Sequence, residues 1–251
     1  KHKNGDESIM FNELKEKLNE IKSMGWIPYE QNNYGNVGLK LEKLLKINSE
    51  NFEIPDYKNE VEIKTKVSKK ENKISLFNAT PDSYLFEIKR IHKLYSYADK
   101  NNSDYKILNQ EIVSNKMVKI KDDVYFCLNV NRERKLVQLM VYNNNGNLID
   151  NQTSWSFELL KNKLERKLKF LCYVEADKFY INGKNYVKYK TDNYYVLKDF
   201  NTFIDLIDNG IISFRFKIGV FKKGSRKGQI HDHGTSITID KQNLDLLFNK
   251  I

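Results

Sequence analysis

Cysteine is nearly absent from this chain: Cys127 and Cys172 are the two in 251 residues. That excludes a disulfide-framed secreted scaffold and a cysteine-built zinc site, and both fall in apolar runs that read as buried, reduced thiols. No apolar run approaches the ~18 residues of a membrane-spanning helix. No charged segment followed by an apolar core marks a signal peptide, so a cytoplasmic protein is expected. Internal repeats and long low-complexity tracts are also missing. What is abundant is positive charge: 43 Lys+Arg against 33 Asp+Glu, a net charge of +10. Basic proteins often act on polyanions, because counterion release from a phosphate backbone drives association. A lysine-rich genome produces the same excess, so charge alone decides nothing. Hydrophobic content of 40% and a length of 251 residues suit one large domain or two lobes. The start Lys1-His2-Lys3, without methionine, reads as a processed or trimmed chain or a piece of a longer protein, and leaves open whether a domain precedes it.

Periodicity predicts the elements. Ile9, Met10, Leu14, Leu18 and Ile21 predict a helix ending near Gly25-Trp26. Gly35-Asn36-Val37-Gly38 reads as a turn entering a helix with Leu41, Leu44 and Leu45 on its apolar stripe. A strand over Glu60–Val67 and a partner strand at Ile74–Phe77 follow. Leu85, Ile88, Ile91 and Leu94 predict a helix. Val124–Val130 and Lys135–Tyr142 predict a hairpin with Asn143–Asn147 as its exit turn. Ser156 is placed to cap a helix running to about Leu168. A strand at Phe170–Glu175, a tight turn at Ile181–Lys184 and a helix at Phe200–Ile207 come next. Long strands at Ser213–Phe221 and Gln229–Ile239 precede an amphipathic helix over 241–249. This mixture is α+β, or mixed α/β, and not a regular βαβ array.

The chemistry concentrates in Pro55-Asp56 and Glu62-Ile63-Lys64. Alternation along Glu60–Val67 reads as a half-buried strand, with Glu62 and Lys64 on its polar face and Val61 and Ile63 on the other. Asp56 arrives just upstream behind a proline-led turn. Two carboxylates can hold a hard divalent cation through oxygen. A neighbouring lysine can position a water or help to deprotonate it, which suits phosphodiester hydrolysis. Yet charged alternation is usually a solvated face, and Glu-x-Lys arises by chance in a lysine-rich chain. Glu42, beside the apolar stripe of its helix, taken alone reads best as an ordinary surface charge.

Together, however, Gly35-x-x-Gly38-x-x-x-Glu42, Pro55-Asp56 and Glu62-Ile63-Lys64-Thr65 resemble the active site of MvaI/BcnI-type restriction endonucleases. Their spacing is similar to that of the related mismatch-repair nicking endonuclease MutH. Trp155-Ser156-Phe157, Leu164-x-x-Lys167-Leu168-Lys169 and Ile218-Gly219 continue the likeness. So does Lys223-Gly224-x-x-Lys227-Gly228-x-x-His231-Asp232-His233-Gly234-Thr235, and the similarity spans most of residues 25–250. The resemblance implies a MutH-like PD-(D/E)XK core with two lobes around a DNA cleft: a catalytic lobe, residues 1–155, and a recognition lobe, residues 156–251. It implies Mg2+ held by Asp56, Glu62 and the Ile63 carbonyl, with Lys64 on the attacking water and products bearing 3′-hydroxyl and 5′-phosphate ends. For Glu42 it leaves three roles open: positioning Lys64, binding a second metal, or holding a water.

The second signal is the stretch Lys217–Ile239, which reads as a hairpin. Its loop, residues 222–228, is basic and punctuated by glycine. A two-stranded ribbon can enter a DNA groove, which makes Lys217, Lys222, Lys223, Arg226 and Lys227 candidate DNA contacts. His231 and His233 project from one strand face and Asp232 from the other; the resemblance favours base reading by all three. A flexible solvated turn is the plain alternative for the loop. A zinc half-site is set aside because no further Cys or His completes it. Lys217 and Thr238 stand where the resembled pattern carries arginine, and lysine replaces a bidentate fork by a point charge. The resemblance implies double-stranded DNA as the partner, at a short CC-x-GG-like site, cut by a monomer one strand after the other. A cognate DNA methyltransferase is expected in the same system. A nicking endonuclease of the repair type and a non-cleaving DNA-binding module are the rival expectations.

Overall fold

The computed structural model describes residues 3–30, 36–47, 53–67 and 72–251; Gly35 lies outside them. In chain order the first elements are α1 (Lys3–Ser23), β1 (Ile27–Tyr29), α2 (Asn36–Leu44), β2 (Val61–Val67), β3 (Lys73–Asn78), α3 (Glu87–Tyr95), β4 (Tyr97–Asp99) and β5 (Asn102–Ile112). Then come β6 (Val118–Lys121), β7 (Val124–Asn131), β8 (Leu136–Tyr142), β9 (Leu148–Asp150), β10 (Ser154–Ser156) and α4 (Phe157–Leu168). The remainder are β11 (Phe170–Ile181), β12 (Lys184–Leu197), α5 (Phe200–Asp208), β13 (Ile212–Val220), β14 (Ile230–Asp232), β15 (Ser236–Asp240), α6 (Leu244–Leu247) and β16 (Phe248–Lys250). The fold is mixed α+β. Among the described residues no helix is long and apolar enough to cross a membrane.

The chain divides into two compact units, each assembled from segments distant in sequence. One gathers Lys1–Asn72, Arg166–Leu197 and Phe248–Ile251; the other gathers Lys73–Glu165 and Lys198–Leu247. In the first unit the sheet order is β1-β12-β11-β2, with β16 also on β12. β2 lies parallel to β11, Val61 opposite Phe170 and Lys64 opposite Tyr173. α1 buries Met10, Leu14, Leu18 and Ile21, the helical spacing read from sequence, while Ile9 is exposed. These residues share a core with Leu41 and Leu45 and with Val61, Ile63, Phe170, Cys172 and Val174 of the sheet. Gly25, at φ +68°, supplies the left-handed residue that stops α1. β11 and β12 meet in a two-residue turn in which Asn182 and Gly183 both have positive φ, as a primed hairpin turn requires.

The second unit holds two sheets, β10-β8-β7-β6 with β9, and β3-β15-β13-β5-β4 with β14. Trp155 is fully buried. It stands edge-on to Phe214 at 4.9 Å, and its indole N–H donates to the Ala79 carbonyl at 2.9 Å. The β7–β8 hairpin forms as expected. Ser156 caps α4, its hydroxyl accepting the Leu159 N–H at 3.1 Å.

Several expectations are corrected. β3 is not the partner of β2; it pairs antiparallel with β15 in the other unit. β2 is not half-buried at its start: Val61, Glu62 and Ile63 are all buried, as befits a strand in a parallel pair. Leu85 precedes α3 and is 89% exposed. The long strand over 229–239 is two strands, β14 and β15. Residues 241–249 do not form one amphipathic helix. They make a short turn, the four-residue α6 and the start of β16, because the edge of β12 offers Phe248 and Asn249 main-chain partners.

Candidate active site and nucleic-acid-facing sheet

The first site is built on the open edge of β2. Val61 exchanges main-chain bonds with Tyr57, at 2.9 and 3.1 Å, so the chain before β2 folds back along that edge. Lys58 and Asn59, both at positive φ, make the turn, and the Glu60 N–H closes it on the Tyr57 carbonyl at 3.0 Å. One step further along, the Asp56 carboxylate takes the place of a neighbouring strand and accepts the Ile63 N–H at 2.8 Å. In a strand the N–H and C=O of one residue point the same way. The Ile63 carbonyl therefore faces the open edge, on the side where Asp56 lies. The buried Tyr57 anchors the turn to α1, its hydroxyl bonding Glu13 at 3.0 Å and Lys17 at 3.2 Å. Lys58 pairs with Glu13 as well.

Glu62 is 1% exposed. Its Oε1 accepts from the Lys64 ammonium at 2.5 Å, and Lys167 of α4 stands 3.5 Å from the same oxygen. Among the described residues its Oε2 is buried without a hydrogen-bond partner, which for a carboxylate is costly. Burial is the largest influence on Glu62 and pushes its pKa above the usual carboxylate value. Asp56 adds to the rise, and Lys64 and Lys167 oppose it. Asp56, Glu62, Ile63 and Lys64 thus form one cluster. Glu42 is half-buried on α2, which packs against the same strand. Lys167 was not among the expected site residues; its signal was a lysine flanking the apolar stripe of Leu160, Leu164 and Leu168.

The second site is a face of the β13 sheet in the other unit. Gly219 lies opposite His231 and Ser213 opposite Thr238. Ile218↔Asp232 and Arg215↔Ser236 differ in register by one residue. This is a β-bulge, and it sits at Gly234, φ +78°. A Cβ on Gly234 would meet the Asn78 Cβ at 3.2 Å. The bulge has a consequence for alternation: it turns the odd-numbered His231 and His233 to the same face as the even-numbered Ser236 and Thr238. Arg215 and Lys217 of β13 share that face, as do Asn109 and Glu111 of β5. Hydrogen bonds run across it, Ser213 with Thr238 at 2.7 Å, Ser75 with Ser236 at 2.9 Å and Arg215 with Asn109 at 3.0 Å. Neither Arg215 nor Asn109 was among the expected contacts: Arg215 lies on a strand that was read in the sequence, whereas β5, which carries Asn109, was not read.

At the end of this ribbon the Arg226 guanidinium lies 4.0 Å from the Phe221 ring centroid. Phe221 stacks on His231 at 4.1 Å, and His231 meets His233 at 4.0 Å. Desolvation, then His233 and Arg226, hold His231 below its ordinary pKa. Asp232 points the other way, accepts the Gly234 N–H at 3.0 Å, and is pushed up by burial. Lys222 is tied to Asp99 at 3.1 Å. Lys223 and Lys227 are exposed on the loop, and Lys217 is half-buried.

A buried carboxylate beside a lysine on a strand edge, and a basic ribbon elsewhere, raise the question of ancestry. The model of the MvaI/BcnI restriction endonuclease family matches residues 15–248. The chain belongs to this family. It is therefore a restriction endonuclease, a DNA-binding hydrolase. Among solved structures, that of restriction endonuclease MvaI in complex with cognate DNA is similar at 27% identity, over 96% of both chains, with a TM-score of 0.86. MvaI without DNA is similar at the same identity and coverage, with a TM-score of 0.63. No curated protein sequence matches the chain.

Restriction endonucleases generally use divalent metal ions, and the donors present suit a hard one. The unpartnered Oε2 of Glu62, the Asp56 carboxylate and the open-edge Ile63 carbonyl are all oxygen. Among the described residues no three His, Cys, Asp or Glu side chains cluster. Two carboxylates, a main-chain oxygen and water match the ligand set that Mg2+ accepts.

Proposed function

We propose that this endonuclease is a Mg2+-dependent type II enzyme that hydrolyses both strands of DNA at a short specific site. One observation carries the reading: a buried Glu62 oxygen that has no hydrogen-bond partner among the described residues, beside Asp56, while the other oxygen engages Lys64. Asp56, Glu62 and the Ile63 carbonyl would hold the ion. Bound there, a divalent cation supplies Lewis-acid stabilisation of the charge that builds on the phosphoryl oxygens. Lys64 leaves Glu62 to orient the attacking water and to receive or relay its proton. Glu42 acts from α2 as an outer support of the cluster. The polar face of the β13 sheet contacts DNA through Lys217, Lys222, Lys223, Arg226, Lys227, His231, Asp232 and His233.

Each chain carries one Asp56–Glu62–Lys64 cluster, so a monomer would cut the strands in succession. A CC-x-GG-like target is the starting expectation, with Lys217 and Thr238 as the positions where its reading departs from the family pattern. Protection of the host would require a DNA methyltransferase of the same system, acting in the cytoplasm.

Supercoiled plasmid bearing many sequences, incubated with and without Mg2+, tests the proposal. Linear product with Mg2+ alone is expected, and sequencing its ends identifies the site and the 5′-phosphate. Lys64→Ala is expected to lower cleavage by about 10²–10⁴-fold with DNA binding retained, and Glu62→Ala to abolish it. Parental cutting by either variant would sink the assignment. Open circles that never become linear would favour nicking, and binding without any cut a non-cleaving module.

A further inference from the structure

The segment Leu164-x-x-Lys167 has no part in the function proposed above, although the structure brings its lysine to the centre of the site. Leu160, Leu164 and Leu168 are buried along α4, and Lys167, three residues after Leu164, flanks that stripe and turns inward. α4 ends one residue before β11. β11 starts in register with β2, Phe170 against Val61 and Leu171 against Glu62. The short connection therefore delivers the last turn of α4 to the start of β2. The Lys167 side chain is 17% exposed. A lysine at a helix C-terminus is ordinarily a solvated charge favoured by the helix dipole. This one gives up most of its water to stand 3.5 Å from Glu62 Oε1.

Two ammonium groups on one carboxylate oxygen, with no hydrogen-bond partner for the other among the described residues, are more than charge balance needs. Lys64 alone neutralises Glu62. A second cation makes chemical sense if Lys64 has to leave. When Lys64 turns to water, Oε1 would lose its partner inside a buried site, and an unsatisfied buried polar group is costly. Lys167 remains to hold it.

We propose that Lys167 is a positioning residue: it keeps Oε1 of Glu62 engaged, so that Lys64 is released to the attacking water. This rests on the reading of Asp56, Glu62 and Lys64 given above. In this role Lys167 acts through Glu62 rather than on the scissile phosphate or the water.

The test compares the parent chain with Lys167→Met, Lys167→Arg and Glu62→Ala. Single-turnover cleavage at saturating Mg2+ is measured beside Mn2+ binding to the protein alone, followed by the free-ion paramagnetic resonance signal. Lys167→Met is expected to cleave about 10-fold more slowly or worse, forfeiting part of what an aligned proton-transfer group contributes. The DNA concentration for half-maximal rate stays unchanged. Mn2+ affinity is expected to hold or tighten, because a positive charge beside the ion is gone. Lys167→Arg restores most of the rate. Parental cleavage by Lys167→Met, loss of its Mn2+ binding, or failure of arginine to restore the rate each overturns the proposal; lost Mn2+ binding would mean that Lys167 merely holds the strand together. Glu62→Ala separates the two levels. If it still binds Mn2+ and cleaves, the underlying site is wrong. If it does neither while Lys167→Met is normal, only the role of Lys167 falls.

Discussion

Exchanging Glu62 for glutamine should separate the cost of this residue from its use. The side chain is buried, with one oxygen unpartnered. Leaving a buried polar atom unsatisfied costs about 1–3 kcal/mol, more if charged. Glutamine keeps the shape and removes the charge, relieving that cost. It also weakens the contacts with Lys64 and Lys167, whose side chains are 24% and 17% exposed. Water reaches both lysines, so the loss is about 1 kcal/mol for each. The two changes nearly cancel, and metal-free stability should move by no more than about 1 kcal/mol. The response to metal should differ sharply. At a Mg2+ concentration near 100 times its Kd, linkage stabilises the parent by about 2.7 kcal/mol. For a chain of this length that raises Tm by about 5–10 °C. Glu62→Gln should gain almost nothing. Thermal scanning of both proteins with and without Mg2+ reads this directly. An equal Mg2+ shift in the two proteins would refute the metal role. A metal-free loss above about 3 kcal/mol would instead make Glu62 a structural ion-pair residue.

Three further outcomes follow from other parts of the molecule. Gly210 has φ +71°, and an added Cβ would meet the Ser114 carbonyl oxygen at 2.9 Å; Gly210→Ala should lower stability by about 1–3 kcal/mol in a urea melt, and a neutral result would refute the stated contact. Arg226→Ala removes the guanidinium from Phe221 and should weaken DNA binding with a salt slope smaller by about 1; an unchanged slope would remove Arg226 from the phosphate contacts. Hydrogen bonds from Lys58, then Lys17 and Tyr57, lower Glu13 to about 2 from 4.5. A depressed carboxylate stabilises the fold fully above its unfolded value and loses that contribution as pH falls from 4.5 towards 2. Glu13→Gln should therefore flatten the melting temperature of the α1–β2 region over that window, and identical acid profiles would show that the pair contributes nothing.

Much of the molecule was legible because local chemistry and tertiary context agree. The α1 stripe, the β7–β8 hairpin, the Ser156 cap and the Asn182-Gly183 turn each depend on neighbours within a few residues. The strand over Val61–Val67 and its Glu62-Ile63-Lys64 core were legible for the same reason, and the family pattern joined them to Asp56. The failures lie where a distant partner decides. Ile74–Phe77 pairs with β15 rather than β2, since a strand pattern does not name its neighbour. The break at Gly234 was hidden because a lone glycine in a strand-like run marks a bulge only once both registers with β13 are known. Residues 241–249 have a helical rhythm, but the open edge of β12 captures Phe248–Lys250.

By itself the sequence determined the types of most elements, the family, and the identity of the charged groups clustered on β2. These follow from short-range periodicity and from motif spacing. Tertiary structure alone decided that β2 lies parallel to β11, which carries α4 and Lys167 to Glu62. It also decided that the Asp56 carboxylate caps the open edge of that strand, and that one Glu62 oxygen is buried with no hydrogen-bond partner among the described residues. Burial and hydrogen-bond satisfaction are properties of the packed chain, set by residues far apart in sequence, and no local pattern encodes them.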